Sequence, residues 1–302
     1  MRVRRMKIGV IGAGRVGAVL GAALRRAGYR VVAVAAVSAA SRDRAQRLLP
    51  GVDLLPADEV ARRADLVLLA VPDDALAGLV TGLVEMDAIR PSARGGQIVA
   101  HTSGAHGVAV LEPVLARGAH PLALHPAMTF TGTEADLDRI AAGVTFGITA
   151  TAETRPIAQR LVADLHGTAE WIDEARRPLY HAALAHGANH LVTLVNEAMD
   201  RLRDAGVQDP RQVLAPLLGA ALDNTLRLGD AALTGPVARG DAGTVAKHLA
   251  TLDAVAPESV PPYLALARRT ADRAITAGRL KTTDAAPLLD VLRDAGKRER
   301  VA

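Results

Sequence analysis

The chain contains no cysteine, very few aromatic residues and only four lysines. Without cysteine it can form neither a disulfide nor a thiolate metal site, and it has no cysteine nucleophile. This composition is typical of a cytoplasmic protein, which is the location we expect. Aromatic residues make up 2% of the sequence, so alanine, valine and leucine must fill most of the core.

Long apolar runs and clustered basic residues are also missing. No stretch of about 18 uninterrupted apolar residues occurs, and the first residues do not resemble a secretory signal. We therefore expect no membrane span and no signal peptide. The net charge is +4, but the basic residues are scattered and do not alternate with aromatic residues. This distribution argues against a nucleic-acid partner.

The sequence lacks the patterns that are typical of two classes of catalytic site. No G-x-S-x-G pattern occurs, so serine hydrolysis has no support. His186 and His190 have the i, i+4 spacing of a zinc pair, but no glutamate follows His186 as it does in H-E-x-x-H. We therefore expect no bound metal.

A glycine-rich stretch, Lys7–Gly17, organises the N-terminal half of the sequence. The apolar run Ile8–Ile11 predicts a buried strand, and an apolar helical pattern follows the glycines. In a G-x-G-x-x-G turn the first glycine allows the sharp bend, the second lets a pyrophosphate approach, and the third packs helix against strand. The helix N-terminus would attract the phosphates. The predicted cofactor-binding residues of this loop are Gly12, Ala13, Gly14, Arg15, Val16 and Gly17. A turn without a ligand is the alternative.

The end of the second predicted strand, Arg30–Ala36, indicates which dinucleotide binds. An NAD-binding domain usually has an acidic residue here that binds the ribose 2′-hydroxyl. This sequence instead has Ser38, Ser41 and Arg42, and the arginine can bind a phosphate bidentately. The pattern predicts NADP(H). A solvent-exposed helix start capped by Ser41 is an alternative that does not exclude phosphate binding.

Later strands alternate with helices and end in small or polar residues. This alternation predicts an α/β fold with a doubly wound, mostly parallel sheet of the Rossmann type. Ligands of such sheets lie at the carboxyl ends of the strands. The residues predicted there to bind the cofactor are Val71, Pro72, His101 and Thr102. Those predicted to bind substrate are Ser103, Gly104 and His125. Bracing of the loops is the alternative role of the two histidines.

The sequence pattern becomes helical after residue 173. We therefore predict a Rossmann-type NADP-binding domain over residues 1–174 and an all-helical substrate and dimerisation domain over residues 175–302. The first long helix of the second domain, predicted over Arg177–Ala205, is rich in apolar residues. A homodimer formed through the helical domain is expected.

These features together resemble the Rossmann-like oxidoreductases whose C-terminal half is a domain of unknown function. That group is related to ketopantoate reductases, pyrroline-carboxylate reductases and β-hydroxyacid dehydrogenases. The resemblance covers most of the chain and rests on Gly12-x-Gly14-x-x-Gly17, His101-Thr102-Ser103-Gly104, His125-Pro126-x-Met128-Thr129-Phe130, Tyr180-His181-Ala182-Ala183 with Asn189, and Leu233-Thr234-Gly235-Pro236-x-x-Arg239-Gly240-Asp241. It implies an NADPH-dependent, ketopantoate reductase-like enzyme that reduces the carbonyl of a small carboxylate between the two domains.

The sequence departs from its relatives at one catalytic position. β-Hydroxyacid dehydrogenases and ordinary ketopantoate reductases carry a catalytic lysine on the first long helix of the second domain, with an asparagine one or two turns later. Asn189 matches that asparagine, but no lysine lies between Lys7 and Lys247. His181 and Asn189, spaced i and i+8, would share a helical face. We therefore predict His181 as the proton donor and Asn189 as the residue that orients the carbonyl, with helix packing as the alternative role of His181.

Other roles and functions remain open at this point. Arg239 is predicted to bind the substrate carboxylate bidentately, and the alternative is an ion pair with Asp241 that shapes its loop. The missing lysine is compatible with a non-catalytic NADPH-binding sensor or scaffold. It is also compatible with an imine reductase, because pyrroline-carboxylate reductases function without that lysine.

Overall fold

The computed structural model describes residues 6–91 and 96–299. It divides into two compact units, with the division after Asn189. The first unit contains the sheet and the second is helical, so the α/β fold followed by a helical region is confirmed. The domain boundary at residue 174 was placed where the sequence pattern changes, and it stays a prediction. Among the described residues, no helix combines the length and the apolarity needed to cross a membrane.

An eight-stranded sheet is formed by the described part of the first unit, in the order β3-β2-β1-β4-β5-β6-β7-β8. The first six strands are parallel, β7 runs antiparallel to β6, and β8 is parallel to β7. The strands are β1 (Lys7–Ile11), β2 (Arg30–Ala35), β3 (Asp53–Leu54), β4 (Leu66–Leu69), β5 (Ile98–His101), β6 (His120–Pro126), β7 (Thr145–Ala150) and β8 (Thr168–Trp171). The strand order reverses between β1 and β4, which is where an open α/β sheet binds its ligand.

Helices cover both faces of the sheet. They are α1 (Arg15–Arg26), α2 (Ala39–Leu48), α3 (Ala57–Arg63), α4 (Asp73–Glu85), α5 (Glu112–Ala116), α6 (Ala135–Ala141), α7 (Arg155–Asp164) and α8 (Arg177–Leu184). Side chains of β4 alternate between two cores, with Leu66 and Leu68 in one and Val67 and Leu69 in the other. This double burial explains why the strand has a continuous apolar sequence.

The long helix expected over Arg177–Ala205 is divided. A π-helical turn, Ala185–Asn189, separates α8 from the next helix, and the units divide directly after this turn. The helices of the second unit are α9 (His190–Asp204), α10 (Pro210–Leu228), α11 (Gly235–Ala238), α12 (Ala242–Val255), α13 (Val260–Thr276) and α14 (Thr282–Glu299). Its buried core is built from α11 to α14 and the short segment before α14.

Candidate active site

The glycine loop joins β1 to α1 beside the reversal of strand order. Gly12 has φ +97°, and a Cβ atom there would lie 2.4 Å from the Ala70 carbonyl oxygen. A Cβ on Gly17 would lie 2.1 Å from the Gly12 oxygen. Gly14 differs, because it has φ −65° and a Cβ there would meet no atom within 4 Å. Packing therefore requires the first and third glycines, whereas the second borders open space that a ligand can enter.

The N-terminus of α1 faces this loop without a competing acidic group. Gly14 is the N-cap and has no side chain to cap the helix, and no acidic residue lies in the first turn. The exposed Arg15 begins the helix, followed by Val16. Arg44, which was not predicted, donates from Nη1 to the Ala13 carbonyl oxygen at 3.3 Å. Backbone N–H groups at the helix start and two nearby cations form an environment that suits a diphosphate.

The turn after β2 places the three predicted 2′-phosphate residues together. Ser38, rather than Ser41, is the N-cap of α2, and its Oγ accepts the Ser41 N–H at 3.2 Å. The Ser41 hydroxyl donates to the Ser38 carbonyl oxygen at 2.8 Å, and Arg42 donates to the carbonyl oxygen of Val37. The sequence after this strand provides no carboxylate before Asp43. The helix start is therefore capped, as in the alternative to phosphate binding, but by Ser38 instead of Ser41. The capped turn still carries the positive charge of Arg42.

The ends of β4 and β5 provide the other predicted cofactor positions. Val71 packs beside the glycine loop, since a Cβ on Gly12 would lie 3.1 Å from its Cγ1. The exposed Pro72 is the N-cap of α4. The Thr102 N–H donates to the Leu69 carbonyl oxygen at 3.1 Å, which joins the two strand ends. Val71, Pro72 and Thr102 therefore lie at the sheet edge that borders the reversal of strand order.

His101 is placed differently from its prediction as a cofactor contact. The side chain is fully buried, its Nε2 lies 2.7 Å from the Gly107 carbonyl oxygen, and its Nδ1 accepts the Ser103 N–H at 3.2 Å. Burial lowers the pKa of His101 to about 4. Both ring nitrogens contact its own loop, so the ring braces that loop, and the predicted cofactor contact of His101 stays a prediction.

Ser103 also shapes this loop. Its Oγ accepts the N–H groups of Ala105 and His106 at 3.2 and 3.1 Å, and the residue is 7% exposed. These contacts form a tight turn of the kind that serine side chains stabilise. The Ser103 hydroxyl oxygen thus has hydrogen-bond partners within its own loop. Its predicted contact with substrate stays a prediction.

Four residues of the first unit converge beside that turn: Gly104, His125, Tyr180 and His181. A Cβ on Gly104 would lie 2.7 Å from His181 Cδ2 and 3.0 Å from His125 Nε2, so only glycine lets both rings approach. The His125 and His181 rings meet edge to face with centroids 6.2 Å apart. His125 Nδ1 lies 2.9 Å from the Tyr180 hydroxyl. The structure therefore brings three of the predicted residues together and adds Tyr180, which was not predicted as a site residue.

Arg177, the first residue of α8, lies behind this cluster and is fully buried. Its Nε donates to Thr149 Oγ1 at 2.8 Å and its Nη2 donates to the Gly147 carbonyl oxygen at 3.0 Å. Longer contacts of 3.5 Å reach the carbonyl oxygens of Ser103 and Ala123. Burial lowers the pKa of Arg177. These four oxygens are neutral, and Tyr180 and Glu174 are the nearby acidic groups that oppose the lowering of its pKa.

The charge of Arg177 and the burial set the protonation states of the cluster. Burial, followed by the charges of Arg177 and His181, lowers the pKa of His125 to about 4. Burial raises the pKa of Tyr180, which Arg177 opposes. At neutral pH the pair therefore consists of a neutral imidazole and a neutral phenol.

Glu174 connects the loop after β5 to the segment that leads into α8. Its carboxylate oxygens accept the N–H groups of Val108 and Ala109 at 2.7 and 3.2 Å. A Cβ on Gly107 would lie 2.1 Å from Glu174 Oε2. The loop that carries Ser103 and the helix that carries Tyr180 are thereby held to each other.

Asn189 and Arg239 are both exposed. Asn189 is exposed at the end of the π-helical turn, so the spacing from His181 does not follow the regular α-helix assumed in its prediction. Arg239 is exposed in the second unit. Asp241, its alternative ion-pair partner, caps α12 and accepts the Thr244 N–H at 3.0 Å. Hydrogen bonds from Thr244, followed by the nearby charge of Arg239, lower the pKa of Asp241, although no ion pair within 4 Å joins the two described side chains. The functional roles of both residues stay predictions.

Sequence reasoning missed Arg44, Glu174, Arg177 and Tyr180. Tyr180 was visible as the neighbour of His181 in the Tyr-His motif. Arg177 follows another arginine in a polar stretch and has no sequence feature that indicates its burial. Its partners lie on β6, on β7 and in the loop after β5, which come together only in the folded sheet.

Comparisons with known proteins match two parts of the chain. Residues 1–126 match the model of the Rossmann-like domain, and residues 144–270 match the model of DUF2520, a domain of unknown function. The second match begins before β7 and thus includes the last two strands as well as helices. No curated protein matches the chain.

Several solved structures share the fold. A candidate NADP oxidoreductase from Bacteroides fragilis is 23% identical with a TM-score of 0.74, over 89% of this chain and 99% of that chain. A pyrroline carboxylate reductase from Plasmodium falciparum, solved with NADP bound, is 12% identical with a TM-score of 0.59, over 94% and 99%. An imine reductase from Myxococcus stipitatus, solved with NADP⁺, is 18% identical with a TM-score of 0.59, over 90% and 95%.

The resemblance inferred from the sequence is confirmed by these matches at the level of domains and fold. The chain joins an N-terminal Rossmann-like domain to a C-terminal domain of the DUF2520 type.

Proposed function

We propose that the protein is an NADP(H)-dependent oxidoreductase that reduces a small substrate. The observation that carries this proposal is the glycine loop at the reversal of strand order. Gly14 needs neither a positive φ nor close packing, yet it leaves open space at the N-terminus of α1. A dinucleotide pyrophosphate has the charge and the size for this position. When bound, the nicotinamide would supply or accept hydride.

The residues of the first unit fit NADP(H) better than NAD(H). Ser38, Ser41 and Arg42 would bind the 2′-phosphate at the turn after β2, where the chain has no acidic residue for a ribose hydroxyl. Arg15 and Arg44 would lie near the pyrophosphate. The structures with NADP named above are consistent with this choice.

The proposed substrate is a small carboxylate with a reducible carbonyl, as in ketopantoate reductases. His125, Tyr180 and His181 can deliver the proton that accompanies hydride transfer, and His181 was the residue chosen from the sequence. Ser103, Gly104 and Arg239 are the proposed substrate-binding residues, with Asn189 orienting the carbonyl. An imine substrate is the second candidate, because the cluster lacks a lysine and imine and pyrroline carboxylate reductases share the fold.

We also propose that the protein is a homodimer joined through its helical unit. The helices α9 and α10 expose large apolar side chains that a second copy would bury. These side chains are Leu191, Val192, Leu194, Val213, Leu217, Leu222, Leu226 and Leu228. An exposed apolar surface of this kind is typical of an interaction site.

The experiment that tests the function measures binding before turnover. NADPH is titrated by fluorescence, and its oxidation is then followed across a panel of 2-keto acids and cyclic imines. We expect binding, together with turnover of a substrate from one of the two classes. Failure to bind NADPH would overturn the proposal. Binding without turnover across the panel would favour the alternative of an NADPH-binding sensor or scaffold.

A further inference from the structure

Tyr180 and His125 form a hydrogen-bonded pair at the carboxyl end of β6. The Tyr180 hydroxyl lies 2.9 Å from His125 Nδ1, and the two rings are nearly perpendicular at 88°. His125 is paired in the sheet with Gly147 of the antiparallel strand β7. A Cβ on Gly147 would lie 2.5 Å from the Tyr180 hydroxyl oxygen, so the absence of a side chain there gives the phenol its position.

The pair is fixed from several sides. Arg177 lies three residues before Tyr180 on α8, and its guanidinium carbon is 5.8 Å from the centre of the tyrosine ring. Because Arg177 is itself held by Thr149 and Gly147, the start of α8 has a defined position on the sheet. On another side, Gly104 leaves room for the His125 ring, because a Cβ there would lie 3.0 Å from His125 Nε2. The hydroxyl of Tyr180 is thus positioned before any substrate binds.

We propose that Tyr180 is the catalytic proton donor and that His125 is the positioning residue that restores its proton. This inference rests on the proposed reductase function and extends it. In the arrangement required, His125 carries its proton on Nδ1 and donates it to the Tyr180 oxygen. The phenolic proton of Tyr180 is then free to donate to the substrate oxygen or nitrogen.

In this arrangement the proton that Tyr180 gives to the substrate is replaced by a proton from His125. When the substrate carbon accepts hydride, the electron pair of its C=O or C=N bond moves to the oxygen or nitrogen. That atom takes the proton of the Tyr180 hydroxyl. The resulting phenolate takes the Nδ1 proton of His125 as Nε2 of the same ring takes a proton from water, which leaves the ring as the Nε2–H tautomer. Proton exchange with water then returns a proton to Nδ1 and removes the one on Nε2, so each turnover consumes one solvent proton. The imidazole is neutral before and after the transfer.

The groups around His125 keep its imidazole neutral, as the proton transfer from Nδ1 to Tyr180 requires. Arg177 and His181 disfavour a second proton on its ring, and Asp73 and His101 are the other titratable groups that act on it. Arg177 and Glu170 are the charged groups that act on Tyr180, with opposite effects. Arg177 stabilises the phenolate formed during transfer more than the neutral phenol, which lowers the barrier for donation.

His181 is less well placed for this role. Its ring packs edge to face against His125 and against Gly104. Tyr180, by contrast, has a hydrogen-bonded group behind it that can replace the donated proton. We therefore assign to His181 a packing and electrostatic role beside the pair.

The first test needs neither cofactor nor activity. Protein labelled with ¹⁵N-histidine, without NADP(H), is examined by NMR, and the His125→Gln variant identifies the His125 signals among those of the nine histidines. We expect an Nδ1–H tautomer for His125 at neutral pH. In Tyr180→Phe this preference should weaken, because the phenolic acceptor is lost. An Nε2–H tautomer in the wild type would overturn the relay, since Tyr180 would then be donating to His125.

The second test compares two tyrosines that have the same type of partner. Tyr263 of the second unit lies 2.9 Å from His248 Nδ1 with the rings at 88°, so Tyr263→Phe is the matched control. We expect Tyr180→Phe to lower kcat by roughly 10²-fold, as for loss of a general acid. Its KM and its NADPH affinity should change little, and Tyr263→Phe should keep wild-type activity.

The histidine variant separates the two possible donors. His181→Gln should lower kcat much less than Tyr180→Phe does, because its ring packs beside the pair and has no described group behind it to replace a donated proton. A large loss in His181→Gln together with full activity in Tyr180→Phe would overturn our assignment and restore His181 as the donor. A wild type that does not bind NADPH contradicts the proposed function instead, while the tautomer measurement still decides whether the pair is arranged as a relay.

Discussion

The two units of the protein bury their apolar side chains to different extents. In the first unit, helices on both sides of the sheet enclose two cores, and α1 alone has eight buried residues. In the second unit the core is restricted to α11–α14 and their neighbouring segments. No residue of α9 is buried, and in the 19-residue helix α10 only Pro210 and Leu214 are.

This difference sets α9 and α10 apart from the helices that cover the sheet, as the proposed homodimer requires. A helix of ordinary length depends on tertiary packing of its apolar side for stability. For α10 the described chain provides little such packing. The exposed leucines of the helical unit are therefore most simply explained by a second subunit, as proposed above.

The largest expected effect is on dimerisation, and it comes from introducing charged residues on α10. Leu222 and Leu226 lie one turn apart and are 55% and 78% exposed. Replacing both by glutamate places two carboxylates in the proposed interface, and we expect the dimer dissociation constant to rise by roughly 10³-fold, about 4 kcal/mol. Sedimentation over a range of concentrations measures it.

The control for this double variant comes from the first unit. Leu115 of α5 is similarly exposed, at 52%, and Leu115→Glu should leave the oligomeric state unchanged. A wild type that sediments as a clean monomer at micromolar concentration would contradict the homodimer and the explanation for α9 and α10.

Alanine substitutions in the glycine loop should separate packing from binding. In Gly17→Ala the new Cβ would lie 2.1 Å from a backbone oxygen, so we expect the first unit to lose about 2–4 kcal/mol of stability. Gly14→Ala should keep stability within about 1 kcal/mol but weaken NADPH binding at least tenfold, about 1.4 kcal/mol. Chemical denaturation and fluorescence titration measure the two effects.

Gly82→Ala in α4 is the matched control, because a Cβ there also meets nothing within 4 Å. It should leave NADPH binding unchanged and raise stability by up to about 1 kcal/mol. Equal NADPH affinities of Gly14→Ala and the wild type would remove the main support for the cofactor site.

A fall in pH should lower the stability of the first unit more than that of the second. His101 and His125 have pKa values near 4 in the folded protein, below the unfolded value of 6.5. Their neutral forms give full stability above pH 6.5, and this is lost as the pH falls from 6.5 through 4, because the unfolded chain binds the protons. We expect each to contribute about 1–3 kcal/mol.

The single tryptophan makes this prediction measurable. Trp171 lies in β8, so its fluorescence reports on the first unit, while far-UV circular dichroism reports on helices of both. Denaturation followed by fluorescence should show the steeper pH dependence, and His101→Gln should reduce that dependence. Parallel loss of both signals, with no effect of this variant, would show that the two histidines do not cause it.

The smallest effect concerns cofactor choice. We expect NADPH to bind at least tenfold more tightly than NADH, about 1.4 kcal/mol. Arg42→Ala should remove most of this preference, because the guanidinium at the turn after β2 is lost. Arg47→Ala, near the other end of α2, is the control and should leave it intact. Equal affinity for the two cofactors in the wild type would refute NADP(H) specificity.

The N-terminal part of the fold was largely predictable because its signals are local. The strand, glycine turn and helix at Ile8–Leu24 follow one another in sequence, and the buried strand β4 has a continuous apolar run. The antiparallel orientation of β7 was not predicted. Strand direction depends on the path of the connecting chain, which periodicity does not report.

The candidate site was less predictable because it is assembled from distant segments. His125 lies against Tyr180 only because β6 and β7 pair in a register that sets His125 opposite Gly147. The burial of Arg177 depends on the same strands. The π-helical turn at Ala185–Asn189 has no signal in the sequence pattern, and it changes the helical geometry between His181 and Asn189.

The contact between Glu174 and the loop after β5 has a consequence for the evolution of this chain. A side chain at position 107 would occupy the space of the Glu174 carboxylate, which holds the N–H groups of Val108 and Ala109. Relatives with alanine or a larger residue at position 107 should therefore have a shorter residue at position 174. The two positions, distant in sequence, are expected to covary among homologues, and the same compensation should appear in laboratory selection for suppressors of Gly107→Ala.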